Sequence, residues 1–179
     1  MAQFMYELKI PKSRIAVLIG KSGEVKRQIE AETHTKISVD SAEGDVMLVG
    51  EDGLGLYAAR EVVTAVGRGF NPNVARLLLK GDYVFEKLDL SEHTSGKTQF
   101  LRLKGRIIGA GGKCRKIIEE LAEVNLTIYG KTIGIIGEPG NVTMARKAID
   151  LIIRGSMHST VYRWLEKRRK ELKERRLAL

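Results

Sequence analysis

The sequence predicts an α+β protein made of two tandem units with the same order of strands and helices. Two glycine-containing segments support this prediction, at residues 19–23 and 108–112, and an amphipathic helical pattern follows each of them. A shift of 89 positions places Ile19 on Ile108, Gly20 on Gly109 and Gly23 on Gly112. The same shift also aligns Ile29 with Ile118, Glu30 with Glu119, Ile37 with Leu126, and Val39 with Ile128. Because 89 residues is the length of a domain rather than of a solenoid repeat, the pattern indicates a duplicated domain.

The first unit is predicted at residues 1–70, in the order strand, helix, loop, helix, strand, strand, helix. Tyr6, Leu8 and Ile10 alternate as in a half-buried strand that Pro11 ends, and Ser13 is the candidate N-cap of the next helix. The predicted elements are a strand at 6–10, a short helix through Ile19, a helix at 24–33, strands at 36–39 and 46–49, and a helix at 54–67.

A helical connector is predicted at residues 71–82. Asn71 is a plausible N-cap, Pro72 suits the first helical position, and Gly81 can end the helix. The apolar residues between them predict a short packing helix rather than a binding stripe.

The second unit is predicted at residues 83–155 and repeats the order of the first. Its predicted elements are a strand at 83–88, a long polar loop at 89–97, a helix at 99–108, a helix from Cys114 through Leu121, strands at 125–129 and 132–136, and a closing helix at 142–153. Gly130 and Lys131 form the tight turn between its last two strands.

A basic amphipathic helix is predicted in the C-terminal segment, residues 156–179, with Ser156 as its N-cap and its end near Arg176. Its apolar stripe consists of Val161, Trp164, Leu165 and Leu172. We interpret Trp164 as a packing residue and keep base stacking as the second interpretation.

In each unit, the glycines before the second helix predict a phosphate-binding site. Glycine lets the backbone approach a ligand without a Cβ, and the beginning helix adds unpaired N–H groups and a partial positive charge. Lys113 and Arg115 add formal positive charge beside the predicted site of the second unit.

Charge is unevenly distributed along the chain, which has a net charge of +9. Residues 1–80 carry 11 basic and 10 acidic side chains, whereas residues 81–179 carry 20 basic and 12 acidic ones. A polyanion held mainly by the second half fits this asymmetry, although a merely solvated surface is the simpler alternative.

Composition argues against several other classes. The single Cys114 is interpreted as a core residue, and the three histidines lack metal-ligand spacing, so we expect neither a metal nor another cofactor. No catalytic Ser/His/Asp set is recognisable, and we expect a protein that is not an enzyme. The absence of a membrane-length apolar run and of a signal peptide predicts no membrane association.

Each unit resembles a KH domain, whose Gly-x-x-Gly loop lies between two helices. The loops are Gly20-Lys21-Ser22-Gly23 and Gly109-Ala110-Gly111-Gly112. A Walker loop would need glycine at Ile15 or Ile107, and a dinucleotide fingerprint needs a different spacing. The resemblance implies two tandem type I KH domains, each a three-stranded antiparallel sheet with three helices, followed by the C-terminal basic helix.

The whole chain also resembles one KH family, the archaeal relatives of the small-subunit ribosome assembly factor called partner of Nob, or dimethylase-associated pre-rRNA processing factor. The matching pieces are Gly69-Phe70-Asn71-Pro72, Gly105-Arg106-Ile107-Ile108-Gly109 with Gly111-Gly112-Lys113, Tyr129-Gly130-Lys131-Thr132, Ala145-Arg146-Lys147-Ala148-Ile149, and His158-Ser159-Thr160-Val161-Tyr162. The resemblance implies binding near the 3′ end of small-subunit (16S-type) rRNA, and partnership with the rRNA dimethyltransferase and the 3′-end endonuclease. Absence of a long basic N-terminal extension favours an archaeal, cytoplasmic member.

The KH resemblance implies which residues bind single-stranded RNA. In the second unit, the main site, they are Arg102, Lys104, Arg106, Ile108, Gly109, Ala110, Gly111, Gly112, Lys113, Arg115, Lys116, Ile128 and Lys131. In the first unit, the secondary site, they are Ile19, Gly20, Lys21, Ser22, Gly23 and Lys26. Ala110 stands where relatives often have lysine, so no loop-lysine contact is carried over there.

The two units are not expected to be equivalent. Asp40, Glu43 and Asp45 lie at the expected rim of the first groove, where they would repel phosphate. The first unit can therefore contact protein or a secondary RNA segment. Two other functions remain open for the chain: a generic KH regulator of single-stranded RNA or DNA, and a protein scaffold with weak RNA binding.

Overall fold

A computed structural model describes residues 3–178, and the chain separates after Phe85 into two units. The first contains β1 (Phe4–Lys9), α1 (Lys12–Ile19), α2 (Glu24–Thr33), β2 (Thr35–Val39), β3 (Asp45–Gly50) and α3 (Gly53–Gly67). Its antiparallel sheet has the order β1-β3-β2, with Tyr6 and Ile37 both opposite Leu48. Helices and sheet bury Leu18, Ile29, Ile37 and Leu48 completely.

The end of the first unit carries the short α4 (Pro72–Ala75), followed by a 3-10 turn at Arg76–Leu79. Asn71 caps α4 as predicted, since its Oδ1 accepts a hydrogen bond from Asn73 N at 2.9 Å, and Pro72 occupies the first turn. Phe70 packs edge-on against Phe85, with ring centroids 5.9 Å apart.

The second unit repeats the arrangement and adds one helix. It contains β4 (Val84–Asp89), of which the first two residues precede the division after Phe85. It also contains α5 (Lys97–Ile108), α6 (Lys113–Ala122), β5 (Asn125–Tyr129), β6 (Thr132–Gly137), α7 (Pro139–Ile153) and α8 (His158–Leu177). The sheet order is β4-β6-β5, and Leu126 lies opposite Ile135 in the antiparallel β5–β6 pair. The predicted α+β class, with two three-stranded units and a C-terminal helix, is confirmed.

Helix α8 packs on the second unit as the stripe predicts. Val161 and Leu165 are fully buried in the core, and Trp164 and Leu172 pack against it while partly exposed. Cys114, predicted as a core residue, is buried in the same cluster. Within residues 3–178, none of the helices is long and apolar enough to cross a membrane.

Three local predictions were wrong. Helix α1 begins one residue before Ser13, directly after Pro11, so this serine lies inside the first turn and does not cap it. The N-cap of α8 is Met157 rather than Ser156, and no side chain caps this end. The segment 89–97 is not a plain loop, because it contains a 3-10 turn at Leu90–His93 and the first residue of α5.

Candidate nucleic-acid interface

The second Gly-x-x-Gly loop joins α5 to α6 through three glycines in the left-handed region. Their φ angles are 74° at Gly109, 59° at Gly111 and 79° at Gly112. A Cβ on Gly109 would lie 2.7 Å from both N and Cβ of Cys114, so only glycine fits there. A Cβ on Gly111 or Gly112 would meet nothing within 4 Å, because these residues form the open side of the loop. The loop backbone is therefore accessible to a ligand where α6 begins.

The first loop has nearly the same backbone. Gly20 and Gly23 have φ angles of 74° and 78°, and Ser22 has a φ of 52° at the position that Gly111 occupies in the second unit. A left-handed conformation costs an L-residue about 1–2 kcal/mol, so Ser22 is held there by its surroundings. Arg27 contributes by donating from Nη1 to the Ser22 carbonyl oxygen at 2.7 Å. The exposed Lys21 completes this loop, and Ile19 beside it is half-buried.

Most predicted cations of the second unit lie near its loop or turn at accessible positions. Arg102, Lys113, Lys116 and Lys131 are exposed, and Lys104 and Arg115 are half-buried. Lys104 Nζ donates to the Gly130 carbonyl oxygen at 3.2 Å, which links α5 to the β5–β6 turn. Exposed Ala110 adds no charge within the loop. Half-buried Ile108 and Ile128 supply apolar surface.

Arg106 is the exception among these cations. Its Nη1 donates to the Ile152 carbonyl oxygen at 2.8 Å and its Nη2 to that of Ser156 at 2.6 Å. In the first unit, Arg14 donates to the carbonyl oxygens of Val66 and Phe70 at 2.8 and 2.6 Å. In both units the arginine therefore ties the helix before the loop to the end of the closing helix. The sequence predicted that Arg106 binds RNA phosphate and gave no indication of this anchoring role.

The edge strand β2 is engaged by side chains of α2. Glu30 Oε1 accepts from Ile37 N at 2.7 Å, and Lys26 Nζ donates to the Ile37 carbonyl oxygen at 2.8 Å. Both backbone groups of Ile37 are thus satisfied within the first unit. A base edge can pair with them only after Lys26 and Glu30 are displaced.

The second unit reproduces half of this arrangement. Glu119 Oε1 accepts from Leu126 N at 2.8 Å, as Glu30 does from Ile37. Arg115, which aligns with Lys26, has its Nε 3.7 Å from Glu119 Oε2. The cation at this position thus pairs with the helix carboxylate rather than with the strand carbonyl.

Carboxylates surround the β2–β3 turn of the first unit, as its sequence indicates. Asp40, Glu43 and Asp45 are all exposed. Asp40 Oδ1 accepts from Ala42 N at 2.8 Å and so shapes the turn, while Lys9 Nζ lies 3.5 Å from Asp45 Oδ1. One lysine does not neutralise three carboxylates, and this rim disfavours phosphate.

The Cys114 thiol behind the second loop is buried, with 1% of the residue exposed. Burial raises the pKa of Cys114, which keeps the thiol protonated at neutral pH. Burial, together with a hydrogen bond to Cys114, raises the pKa of Tyr162 to about 12.

A ring nitrogen of His158 lies 2.8 Å from the Arg106 carbonyl oxygen, so α8 supports the helix that carries the loop.

Both units match KH families in sequence. Residues 84–170 match a family described as the eukaryotic type KH-domain (KH-domain type I), and residues 5–65 match the KH domain family. The chain is 43% identical over 176 residues to a KH domain-containing protein of Methanocaldococcus jannaschii, covering 96% of this chain and 77% of that protein.

Two further relatives are named for what they bind or form. RNA-binding protein PNO1 of Oryzias latipes is 34% identical over 114 residues, which cover 63% of this chain and 47% of that protein. A solved structure, the a/eIF2alpha-aDim2p-rRNA complex of Pyrococcus horikoshii OT3, matches with a TM-score of 0.88 and 43% identity. That match covers 94% of this chain and 96% of the other.

Proposed function

Since the chain belongs to the KH-domain family related to the PNO1 and Dim2 ribosome assembly factors, we propose that it binds single-stranded RNA near the 3′ end of small-subunit rRNA and assists the processing of that end. The observation that carries this proposal is the open backbone at Gly111 and Gly112, at the start of a helix that begins with Lys113. Phosphate is the ligand that such a helix start with adjacent cations accommodates.

The second unit is the main RNA site in this proposal. Its loop backbone takes phosphates, and the exposed Lys113, Lys116 and Lys131 supply positive charge. Ile108 and Ile128 offer apolar surface to the bases. Arg106 supports the site from behind through its two carbonyl contacts. Because the groove of a KH domain admits a single strand, duplex RNA is not the expected ligand.

The first unit has a secondary role in this proposal. Lys26 and Glu30 occupy the backbone groups of Ile37, and the turn beside them is acidic. These features fit a protein contact or a weak second RNA contact in this unit better than high-affinity recognition of bases. The partners that the family resemblance suggests are the rRNA dimethyltransferase and the 3′-end endonuclease, in the cytoplasm of an archaeal cell.

Binding to a short strand copied from the 3′ end of small-subunit rRNA tests the proposal. A scrambled strand of equal length is the sequence control, and Gly111→Asp with Gly112→Asp is the site variant. These substitutions add negative charge where no atom lies within 4 Å of a new Cβ, and aspartate tolerates the left-handed conformation better than most residues. Ser22→Asp with Gly23→Asp is the matched change in the first loop.

We expect the rRNA strand to bind more tightly than the scrambled strand, and only the change in the second loop to abolish binding. The logarithm of the affinity should fall by about 0.7 per log unit of salt for each phosphate neutralised. Equal binding of both strands would indicate the generic KH regulator instead. Loss of binding in the first-loop variant alone would move the site to the first unit.

A further inference from the structure

The second unit is longer than the first between its first strand and its loop. Ile10 N donates to the Gly44 carbonyl oxygen, and Leu90 N donates to that of Lys131, so Ile10 and Leu90 occupy equivalent places beside the hairpin turns. Ten positions separate Ile10 from Gly20, whereas nineteen separate Leu90 from Gly109. The nine extra residues form the 3-10 turn after β4, the following loop and the first part of α5.

This longer segment borders a cavity of about 450 Å³, which we name the α5 pocket. Its lining includes Ser91, Thr94, Lys97, Phe100, Leu101 and Lys131. Leu101 is 55% exposed, and Phe100 packs partly on the core, so both present apolar surface to the pocket. The lining contains two lysines and no carboxylate, so its charge suits an anion that carries an apolar group.

The α5 pocket shares Lys131 and the helix α5 with the candidate RNA interface. Phe100, Lys104 and Ile108 recur at every fourth residue of α5, so they follow one face of the helix from the pocket to the loop over about 12 Å. Lys104 Nζ contacts the Gly130 carbonyl oxygen, next to Lys131 in the pocket lining. A strand that leaves the loop along this face therefore reaches the pocket.

The first unit has the opposite charge at the corresponding end. Its cavity beside the β2–β3 turn includes Glu7, Asp40 and Asp45 in its lining, together with Lys9. These three carboxylates disfavour a nucleotide, so a basic pocket at this end is a property of the second unit.

We propose that the α5 pocket receives an additional nucleotide of the bound single strand, beyond the four that a KH groove holds. The base packs on Phe100 and Leu101, and its phosphate faces Lys97 and Lys131. This inference rests on the proposed function, because it requires a strand in the adjoining groove.

The test measures binding of the full chain to strands of four, five and six nucleotides copied from the preferred sequence and extended at the 5′ or the 3′ end separately. Extension at one end only should tighten binding by at least about fivefold, since packing of a base on an aromatic ring contributes that much. A photoreactive uridine analogue at the added position should crosslink to residues of the pocket.

The pocket variant is Leu101→Ala with Lys97→Ala, two exposed positions. It should bind the four-nucleotide strand as the unmodified chain does and lose the gain from the longer strand. Leu54→Ala with Lys36→Ala, also exposed, is the matched control in the first unit and should keep that gain. A gain that survives in the pocket variant, or no gain at either end, would overturn the inference. Failure of every strand to bind would instead overturn the proposed function, and the pocket assignment with it.

Discussion

Arg106 Nη1 donates a 2.8 Å hydrogen bond to the carbonyl oxygen of Ile152, the penultimate residue of α7. Nη2 of the same guanidinium donates to the Ser156 carbonyl oxygen, in the segment that follows α7. The helix that leads into the second Gly-x-x-Gly loop is thereby held against the closing helix. The position of the loop thus depends on Arg106. The sequence predicted a phosphate-binding role for this arginine because it lies just before the Gly-x-x-Gly loop.

Replacing Arg106 with alanine should destabilise the second unit. Two charge-assisted hydrogen bonds to part-buried carbonyls are lost, and we expect the free energy of unfolding to fall by about 2–3 kcal/mol. Arg106→Lys should recover only part of this, because one ammonium group cannot reproduce the fork of the guanidinium. Urea denaturation measures the change.

The matched control for this experiment is Arg102→Ala, at an exposed arginine one turn earlier in α5. It should change the stability by no more than about 0.5 kcal/mol. The anchoring role would be refuted by an Arg106→Ala variant that unfolds at the same urea concentration as the unmodified chain and binds RNA poorly.

Glycine substitutions in the second loop should separate folding from binding. Gly111→Ala adds a Cβ in open space, so its cost is that of the left-handed conformation, about 1–2 kcal/mol. Gly109 combines its positive φ of 74° with a ψ of 170°, a combination essentially restricted to glycine, so Gly109→Ala has a larger conformational cost and in addition places a Cβ 2.7 Å from Cys114 N at the start of α6. The melting temperature should therefore fall further for Gly109→Ala. An equal fall in both variants would mean that the backbone around Cys114 relaxes without cost.

Much of the fold could be predicted from the sequence because the signals are local. The repeat at Gly20 and Gly109, and the alternation of Tyr6, Leu8 and Ile10, are patterns within short segments. They predicted the order of elements, although β1 lies two residues earlier at its start than predicted and α5 begins at Lys97. The ends of the helices were harder to predict. Serine is a common N-cap residue, but Ser13 and Ser156 do not occupy the N-cap positions of α1 and α8.

The contacts that define the candidate site were less predictable because they join distant parts of the chain. Arg106 and Ile152 are 46 residues apart, and no local pattern pairs them. The engagement of Ile37 by Lys26 and Glu30 depends on how α2 lies along β2. The position of each cation near the loop was predictable, but the partner of each cation was not.

Stability of the second unit should depend on the ionisation of Tyr162. Its pKa is raised to about 12 in the folded chain, so the folded state keeps a proton that an unfolded tyrosine releases near pH 10. The contribution of this group is present below pH 10 and is lost as the pH rises to 12. Cys114, whose pKa is also raised, acts in the same direction.

The comparison of Tyr162→Phe with the unmodified chain isolates this effect. The unmodified chain should have the higher urea midpoint at pH 8, and the difference between the two should shrink by pH 11. Tyr57→Phe, at a tyrosine that is 57% exposed, should follow the unmodified chain at both pH values. A difference between Tyr162→Phe and the unmodified chain that stays constant from pH 8 to pH 11 would contradict the prediction.

Helix α8 should be an integral part of the second unit rather than an appended tail. Leu165 is fully buried in the same cluster as Ile118 of α6 and Ala148 of α7, so Leu165→Ala leaves a cavity and should cost about 2–5 kcal/mol. Leu177→Ala, at a residue 88% exposed near the end of the same helix, should cost less than about 0.5 kcal/mol. Since α8 also contacts the Arg106 carbonyl through His158, the Leu165 variant should lose RNA binding at the temperature where it unfolds. A Leu165→Ala protein with an unchanged denaturation midpoint would show that α8 docks without contributing to the core.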